Sequence, residues 1–377
     1  MNKLAPIVLF TYNRLWHTQQ TIEALQKNEL AEESEFFIYS DGGKDEKSWE
    51  MVNEVRQYLK TIGGFKNITI IEQEKNLGLA DSIISGVTKI INKYGKIIVL
   101  EDDIVTSPYF LRFMNNALYF YEKESKVWHI SGWNYSISNE KLNDTFLWRG
   151  MNCWGWATWA DKWKYYKKNT TELIKSFSIN DIYKFNFDGT HNAWLQVIAN
   201  YENKINTWAI YWYATIFCHD GLCLNPTLSF VKNIGFDGTG THCVKTSTQQ
   251  QDLLNHQKDV LFPEKLEENI IALDKIKLFY YQNSIYHENT IFINKLRQVY
   301  DRVNKLPNDF QYIIYGAGSG YNLIISQIKH NVVAVIDNNL SGTTEHGLPI
   351  IKPNDIKLFR DYKIIISVFD KQDEVRN

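Results

Sequence analysis

The first hundred residues switch repeatedly between two hydrophobic periods, and that switching limits the fold more than any other feature. "PIVLFTY", "EFFIYSDGG", "NITIIEQ" and "KIIVLEDD" are apolar runs of strand length that end in polar residues. Between them lie "LWHTQQTIEALQKN", "SWEMVNEVRQYLKTI" and "GLADSIISGVTKIINKY". These carry apolar residues at helical spacing, as Trp49, Val52, Val55 and Leu59 do in the second. Strands apolar on both faces must be covered on both faces, so the pattern predicts an α/β fold: a mainly parallel sheet with helices on either side. Ligands of such sheets bind beyond the carboxyl ends of the strands. The tips "TYNR", "SDGG", "EKNLG" and "LEDD" all fall on that edge.

Beyond this region the pattern changes twice. Residues 111–245 are less regular and rich in Trp, Tyr and Gly, and residues 247–308 turn polar and helical until Pro307 ends them. Then "QYIIYGAGSGYNLIISQIKHNVVAVIDNN" opens a second strand–loop–helix–strand unit, with Asp337 closing its second strand. Gly316, Gly318 and Gly320 resemble a Rossmann-like nucleotide-binding loop, but Tyr321 stands where the full fingerprint needs glycine. With about three strands expected, this end reads as a small, partial Rossmann-like domain. The predicted division is 1–246, a helical connector at 247–308, and 309–377.

Three consecutive carboxylates, Glu101, Asp102 and Asp103, follow the apolar run Ile97–Leu100. Like charges so crowded need a positive partner. A hard divalent cation, Mn²⁺ or Mg²⁺, takes oxygen ligands of this kind and leaves positions open for phosphate oxygens. The competing explanation is a solvated turn, or an N-cap at Asp103 for the helix in "SPYFLRFMNNAL". Placement beside three other polar tips favours the cation.

Composition narrows the rest. A net charge of -2 over 377 residues argues against nucleic acid as partner. The aromatic share is 14%, with twelve Trp, which suits both core packing and carbohydrate contact. Cys153, Cys218, Cys223 and Cys243 form no CxxC pair and read as reduced thiols. The start "MNKLAPIVLFTYNR" enters a strand directly, and no apolar run is long enough to span a membrane. The expected location is the cytoplasm or the inner face of the membrane, with peripheral association. The oligomeric state is not readable.

"VLEDDIVTSPYFLRFMNNAL" resembles the metal-binding segment of GT-A glycosyltransferases, and is especially similar to the N-acetylglucosaminyltransferase I type. Bacterial family 2-like glycosyltransferases are also similar. The likeness extends to "HISGWN", "GMNCWGWATWADKW", "PIVLFTYNR", "YSDGG" and "NIGFDGTGTHC", over about residues 4–245. The resemblance implies a role for each matching residue. Asp103 and His242 would ligate the metal. Asp102 would bind the ribose or a metal-bound water, and Glu101 would contact the donor sugar or support the loop. Asp41 would accept from the uracil or its ribose, and Thr11, Asn13 and Arg14 would hold the base and phosphate side. Asn76 and Gly78 would allow backbone approach to the nucleotide. Trp133 and Asn134 would form a donor-side turn, and Trp154 and Trp156 an acceptor wall. The family's base is an Asp beside aromatics. Here "NFDGTHNAWLQV" offers Asp188 near Trp194, without the family's Trp-Asp-Asp-Trp run, and His191 and Asp181 are alternatives.

The implied activity is metal-dependent, inverting hexosyl transfer from a nucleotide sugar, UDP-linked, to a saccharide or lipid-linked glycan in bacterial surface-polysaccharide biosynthesis. Two alternatives stand beside it. A nucleotidyltransferase would need a Gly-rich, Lys/Arg-bearing loop after strand one, which "TYNRLWHTQ" lacks. A non-catalytic nucleotide- or carbohydrate-binding module would not need the three acids.

Overall fold

The computed structural model describes residues 3–238, 260–282, 311–315, 325, 332–337, 340, 342–344, 347–353 and 363–366, the last four by backbone alone. His242, Cys243, Pro307, Tyr321 and the three glycines of the C-terminal loop lie outside the described residues. The chain divides into two compact units, 1–168 with 206–283, and 169–205 with 284–377.

The first unit opens as β1 (Ile7–Thr11), α1 (Leu15–Gln26), β2 (Glu35–Ser40), α2 (Glu46–Leu59), β3 (Asn67–Glu72), α3 (Leu79–Tyr94) and β4 (Lys96–Glu101). Each predicted strand and helix of this region is present. α2 begins two residues before the predicted Ser48, because Asp45 and Ser48 form a reciprocal capping box that satisfies the first free N–H groups. β1 is wholly buried and pairs in parallel with β2 and β4, so that Thr11 lies opposite Ser40 and Phe10 opposite Glu101. β3 adds to β2 in the same direction. The carboxyl ends of these strands therefore share one edge, as parallel pairing requires.

The less regular region completes the sheet. It holds β5 (Ile104–Thr106), α4 (Phe110–Phe120), β6 (Val127–Ser131), β7 (Thr145–Trp148), β8 (Trp156–Trp159) and α5 (Ala160–Trp163). The eight strands run β3-β2-β1-β4-β8-β6-β9-β7, where β9 is Leu222–Pro226. β8 is antiparallel to both β4 and β6, while β6 and β9 are parallel. A short β10 (Val231–Asn233) pairs antiparallel with β5 and brings the chain back over the end of β4.

The second unit contains α6 (Thr170–Ser176), α7 (Ile179–Phe185) and α8 (Trp194–Tyr201). α9 (Ala209–Cys218) and α10 (Ile270–Gln282) belong to the first unit. The described part of the predicted connector is packed onto the first unit's sheet. Asn269 N–H donates to the carbonyl of Leu147 on β7 (2.8 Å), Arg149 pairs with Glu268 (2.8 Å), and Ala272, Leu273, Ile276 and Phe279 are buried.

At the C-terminal end, β11 (Tyr312–Tyr315), β12 (Val332–Ile336), β13 (Gly342–Thr343), β14 (Pro349–Ile351) and β15 (Lys363–Ile366) form a sheet ordered β13-β14-β12-β11-β15. The expectation of about three strands is corrected to five: β13 and β14 are too short to show a hydrophobic period. Among the described residues, no helix is long and apolar enough to cross a membrane.

Candidate functional site

Two polar clusters occupy the shared strand edge. The first accounts for three adjacent acids. β4 ends at Glu101, and Asp102 and Asp103 form the turn into β5. Asp103 does not cap α4, whose N-cap is Tyr109. The positive partner is a side chain. Arg14, the residue before α1, donates from Nη2 to Oδ1 of Asp102 and to Oδ2 of Asp103, the latter at 2.7 Å. Its backbone is fixed, since its carbonyl accepts from Thr18 N–H at 3.0 Å and Thr18 Oγ1 at 2.9 Å. Thr21 Oγ1 of the same helix donates to the Asp102 carbonyl at 2.8 Å. Helix α1 thus holds the turn from one side.

The electrostatics reflect burial and crowding. Burial pushes the Glu101 carboxyl up to about 8, reinforced by Asp103 and Asp102 and opposed by Arg14. A proton shared into this cluster relieves part of the expected repulsion. Burial also raises Asp102, with Arg14 pulling it down and Asp103 pushing it up. For Arg14, burial works against the cation, but the two carboxylates outweigh it and raise its pKa.

The loop after β10 closes the other side. Ile234 N–H donates to the Asp103 carbonyl at 2.9 Å. A Cβ on Gly235 would lie 2.2 Å from Asp103 Oδ2, so only glycine lets this backbone lie against the carboxylate. Asp237 Oδ2 approaches His17 Nε2 at 3.1 Å, tying the same loop to α1. Phe236 packs edge-on to Trp154 at 5.4 Å, and Trp154 packs on Trp133 at 4.5 Å. Trp154 is half-buried and is joined through Phe236 to the loop that covers the acids.

The second cluster is built on Asp41. Its Oδ1 accepts from Gly42 N–H (2.9 Å) and Leu77 N–H (2.8 Å). Its Oδ2 accepts from Gly78 N–H (2.9 Å) and Asn76 Nδ2 (3.1 Å). Asp41 therefore fastens the "EKNLG" loop to the end of β2. Gly42 permits it, because a Cβ there would meet the backbone of Lys75 at 2.5 Å. Buried Arg56 of α2 caps the same edge, donating to the carbonyls of Gln73 (2.7 Å) and Ser40 (3.3 Å). At the end of β1, Thr11 is buried with its Oγ1 unpartnered, and Asn13 is half-buried.

Some expected contact residues are core residues here. Trp156 is 0% exposed, stacked on Trp208 (5.1 Å) and His129 (5.5 Å), so it cannot form an acceptor wall. Asn134 is also 0% exposed, with its N–H on Ser229 Oγ and its Nδ2 on the Thr227 carbonyl. Trp133 is buried as well. Burial of Trp156, Trp133 and Asn134 was not legible, because a Trp-rich segment looks the same whether its rings face a ligand or one another. His242, the second expected metal ligand, is outside the described residues.

Asp188, Asp181 and His191 belong to the second unit. Asp188 sits in a run of three left-handed residues, with φ of 50° at Phe187, 54° at Asp188 and 78° at Gly189. Asp181 is spent on a capping box with Ser178. Burial lowers His191 to about 4.

Asp102 and Asp103 can act as hard oxygen ligands once Arg14 yields them. One or two carboxylates completed by phosphate oxygens is a usual arrangement for Mg²⁺. Two adjacent carboxylates on the ligand edge fit that requirement. Among the described residues, no group of three or more His, Cys, Asp or Glu could hold a metal ion by itself.

A parallel 3-2-1-4 sheet carrying paired acids at the end of β4 is the arrangement against which the comparisons with known proteins are set. Residues 1–168 match the GNT-I family model, a stretch that ends where the first segment of the first unit ends. Residues 308–377 match a second model, described as C2185-like, N-terminal. No curated protein matches the chain. Among solved structures, the chain is similar to the mannosyltransferase PcManGT from Pyrobaculum calidifontis in complex with GDP-Man and Mn²⁺. That match has 14% identity over 34% of this chain and 34% of that one, with a TM-score of 0.27. An active-site mutant of LgtC matches with 12% identity, 56% and 70% coverage, and a TM-score of 0.31. A UDP-glucose pyrophosphorylase complexed with UDP-glucose matches with 12% identity, 59% and 90% coverage, and a TM-score of 0.30. The chain thus spans about a third of the mannosyltransferase's length.

Proposed function

We propose that the chain is a metal-dependent, inverting glycosyltransferase that moves a hexosyl group from a UDP-sugar to a saccharide or lipid-linked glycan in bacterial surface-polysaccharide assembly. The observation that carries the reading is the Asp102–Asp103 pair, held together on the ligand edge within the segment that matches the GNT-I model. Mn²⁺, when bound, supplies positive charge where the departing diphosphate gains negative charge. Asp103 serves as its ligand, and His242 as a further one. Asp102 takes the ribose or a metal-bound water, and Glu101 contacts the donor sugar or supports the loop. The backbone of the Asn76–Gly78 loop, fastened by Asp41, approaches the nucleotide. Trp154 offers the acceptor an aromatic face, and Asp188 removes the proton from its attacking hydroxyl. The glycosyltransferase domain is taken as 1–246, leading into a connector and the C-terminal domain.

The test is to incubate the full chain with a panel of nucleotide sugars, Mn²⁺ and saccharide acceptors, and to determine the anomer formed by NMR. Transfer from a UDP-sugar with inverted configuration is expected. A retained anomer overturns the mechanism, and release of nucleoside triphosphate on adding pyrophosphate favours a nucleotidyltransferase.

A further inference from the structure

Arg14 meets both site carboxylates through one nitrogen. Nη2 donates to Oδ1 of Asp102 and to Oδ2 of Asp103. An arginine that simply neutralises an acid tends to offer two parallel N–H groups to one carboxylate. Here two carboxylates converge on a single point of positive charge, which is what a small cation would ask of the same two oxygens. The arrangement also leaves Arg14 incompletely satisfied, since Nη1 is buried and has no partner. A buried, unpaired donor is costly. With its backbone pinned at the start of α1, Arg14 can change partners only by swinging its side chain.

We propose that Arg14 is the resident counter-cation of the Asp102–Asp103 pair, and that it competes directly with a divalent cation and its bound water for the same two oxygens. This rests on reading the pair as the divalent site. Without nucleotide, Arg14 keeps the carboxylates together and holds affinity for the free cation down. A nucleoside diphosphate offers the guanidinium another acceptor, because arginine suits phosphate as well as carboxylate. Cation and nucleotide therefore bind with positive coupling.

The test measures Mn²⁺ binding to the full chain by EPR of free Mn²⁺, with and without UDP, in wild type, Arg14→Met and Arg14→Lys. Without UDP, Arg14→Met should bind Mn²⁺ on the order of tenfold more tightly. Arg14→Lys retains the charge but has a compact, strongly hydrated ammonium that holds two carboxylates less well, so it should bind roughly threefold more tightly. UDP should strengthen Mn²⁺ binding more in wild type than in either variant. Arg14→Lys equal to wild type, or Arg14→Met binding no more tightly, overturns the proposal. If Arg14→Met does not fold, Arg14→Lys alone decides. Failure of every form to bind Mn²⁺, even with UDP, would instead remove the divalent site itself.

Discussion

A carboxylate that already accepts four hydrogen bonds has few lone pairs left for a ligand, and Asp41 is in that position. Its chemistry is used to place backbone, while Arg14, Asp102 and Asp103 are the groups whose bonds can be exchanged. The clustering of the acids on the strand edge was legible because they end an apolar strand, and their need for a positive partner was legible too. That the partner is Arg14 was not, since it lies 88 positions from Asp102 and only the parallel β1–β4 pairing joins them. Gly235 and His17 were missed for the same reason: their neighbours are set by a returning loop. At this scale the base assignment can be checked. Asn tolerates left-handed backbone nearly as well as Asp, so Asp188→Asn should leave the turn intact. Transfer should slow by roughly 10²–10⁴-fold with the donor dissociation constant unchanged. Steady-state rates paired with nucleotide binding by calorimetry give the answer, and near wild-type turnover would send the search to His191.

Elements were legible where period and pairing agree. β1 to β4 and α1 to α3 come from local pattern, and the parallel edge comes from their alternation. The interleaved order of β6, β7, β8 and β9 was not legible, because antiparallel insertion depends on contacts distant in sequence. Nor was the attachment of α10, whose sequence reads as polar helix although Ala272, Leu273, Ile276 and Phe279 are buried. Each large apolar side chain so buried contributes ~1.5–3 kcal/mol. Cutting the chain after residue 250 removes this cover from β7 and from Tyr135, whose hydroxyl lies 2.9 Å from that of Tyr280. That piece should aggregate or melt well below a chain ending at 283. Equal melting temperatures for the two in differential scanning fluorimetry would show that α10 contributes little.

Over the whole molecule, buried titratable groups set opposing responses to pH. His129 is 0% exposed, bonded through Nε2 to the Asn152 carbonyl (2.9 Å) and accepting at Nδ1 from Trp212 (3.1 Å). Burial lowers its pKa from 6.5 to about 4. Between those values the unfolded chain binds the extra proton, so this contribution is complete above about 6.5 and is lost as pH falls toward about 4. Glu101 and Asp102, raised in the folded state, act in the other direction. Their share is present at low pH and is lost as pH rises. His129→Gln keeps a donor and an acceptor but does not titrate. The stability gap between wild type and this variant should shrink by roughly 2 kcal/mol from about pH 7 to about pH 4.5 in urea unfolding. A gap independent of pH would place the proton elsewhere.

The claim that the protein handles a nucleotide sugar through the Asp102–Asp103 pair is tested most directly by donor binding. Isothermal titration of UDP-sugars into wild type and Asp103→Asn, each with Mn²⁺ and with EDTA, separates the cation from the fold. Binding in wild type with Mn²⁺, weakened at least about tenfold both by EDTA and by Asp103→Asn in an otherwise folded protein, is the predicted result. Donor binding equally tight in all four conditions would contradict the account.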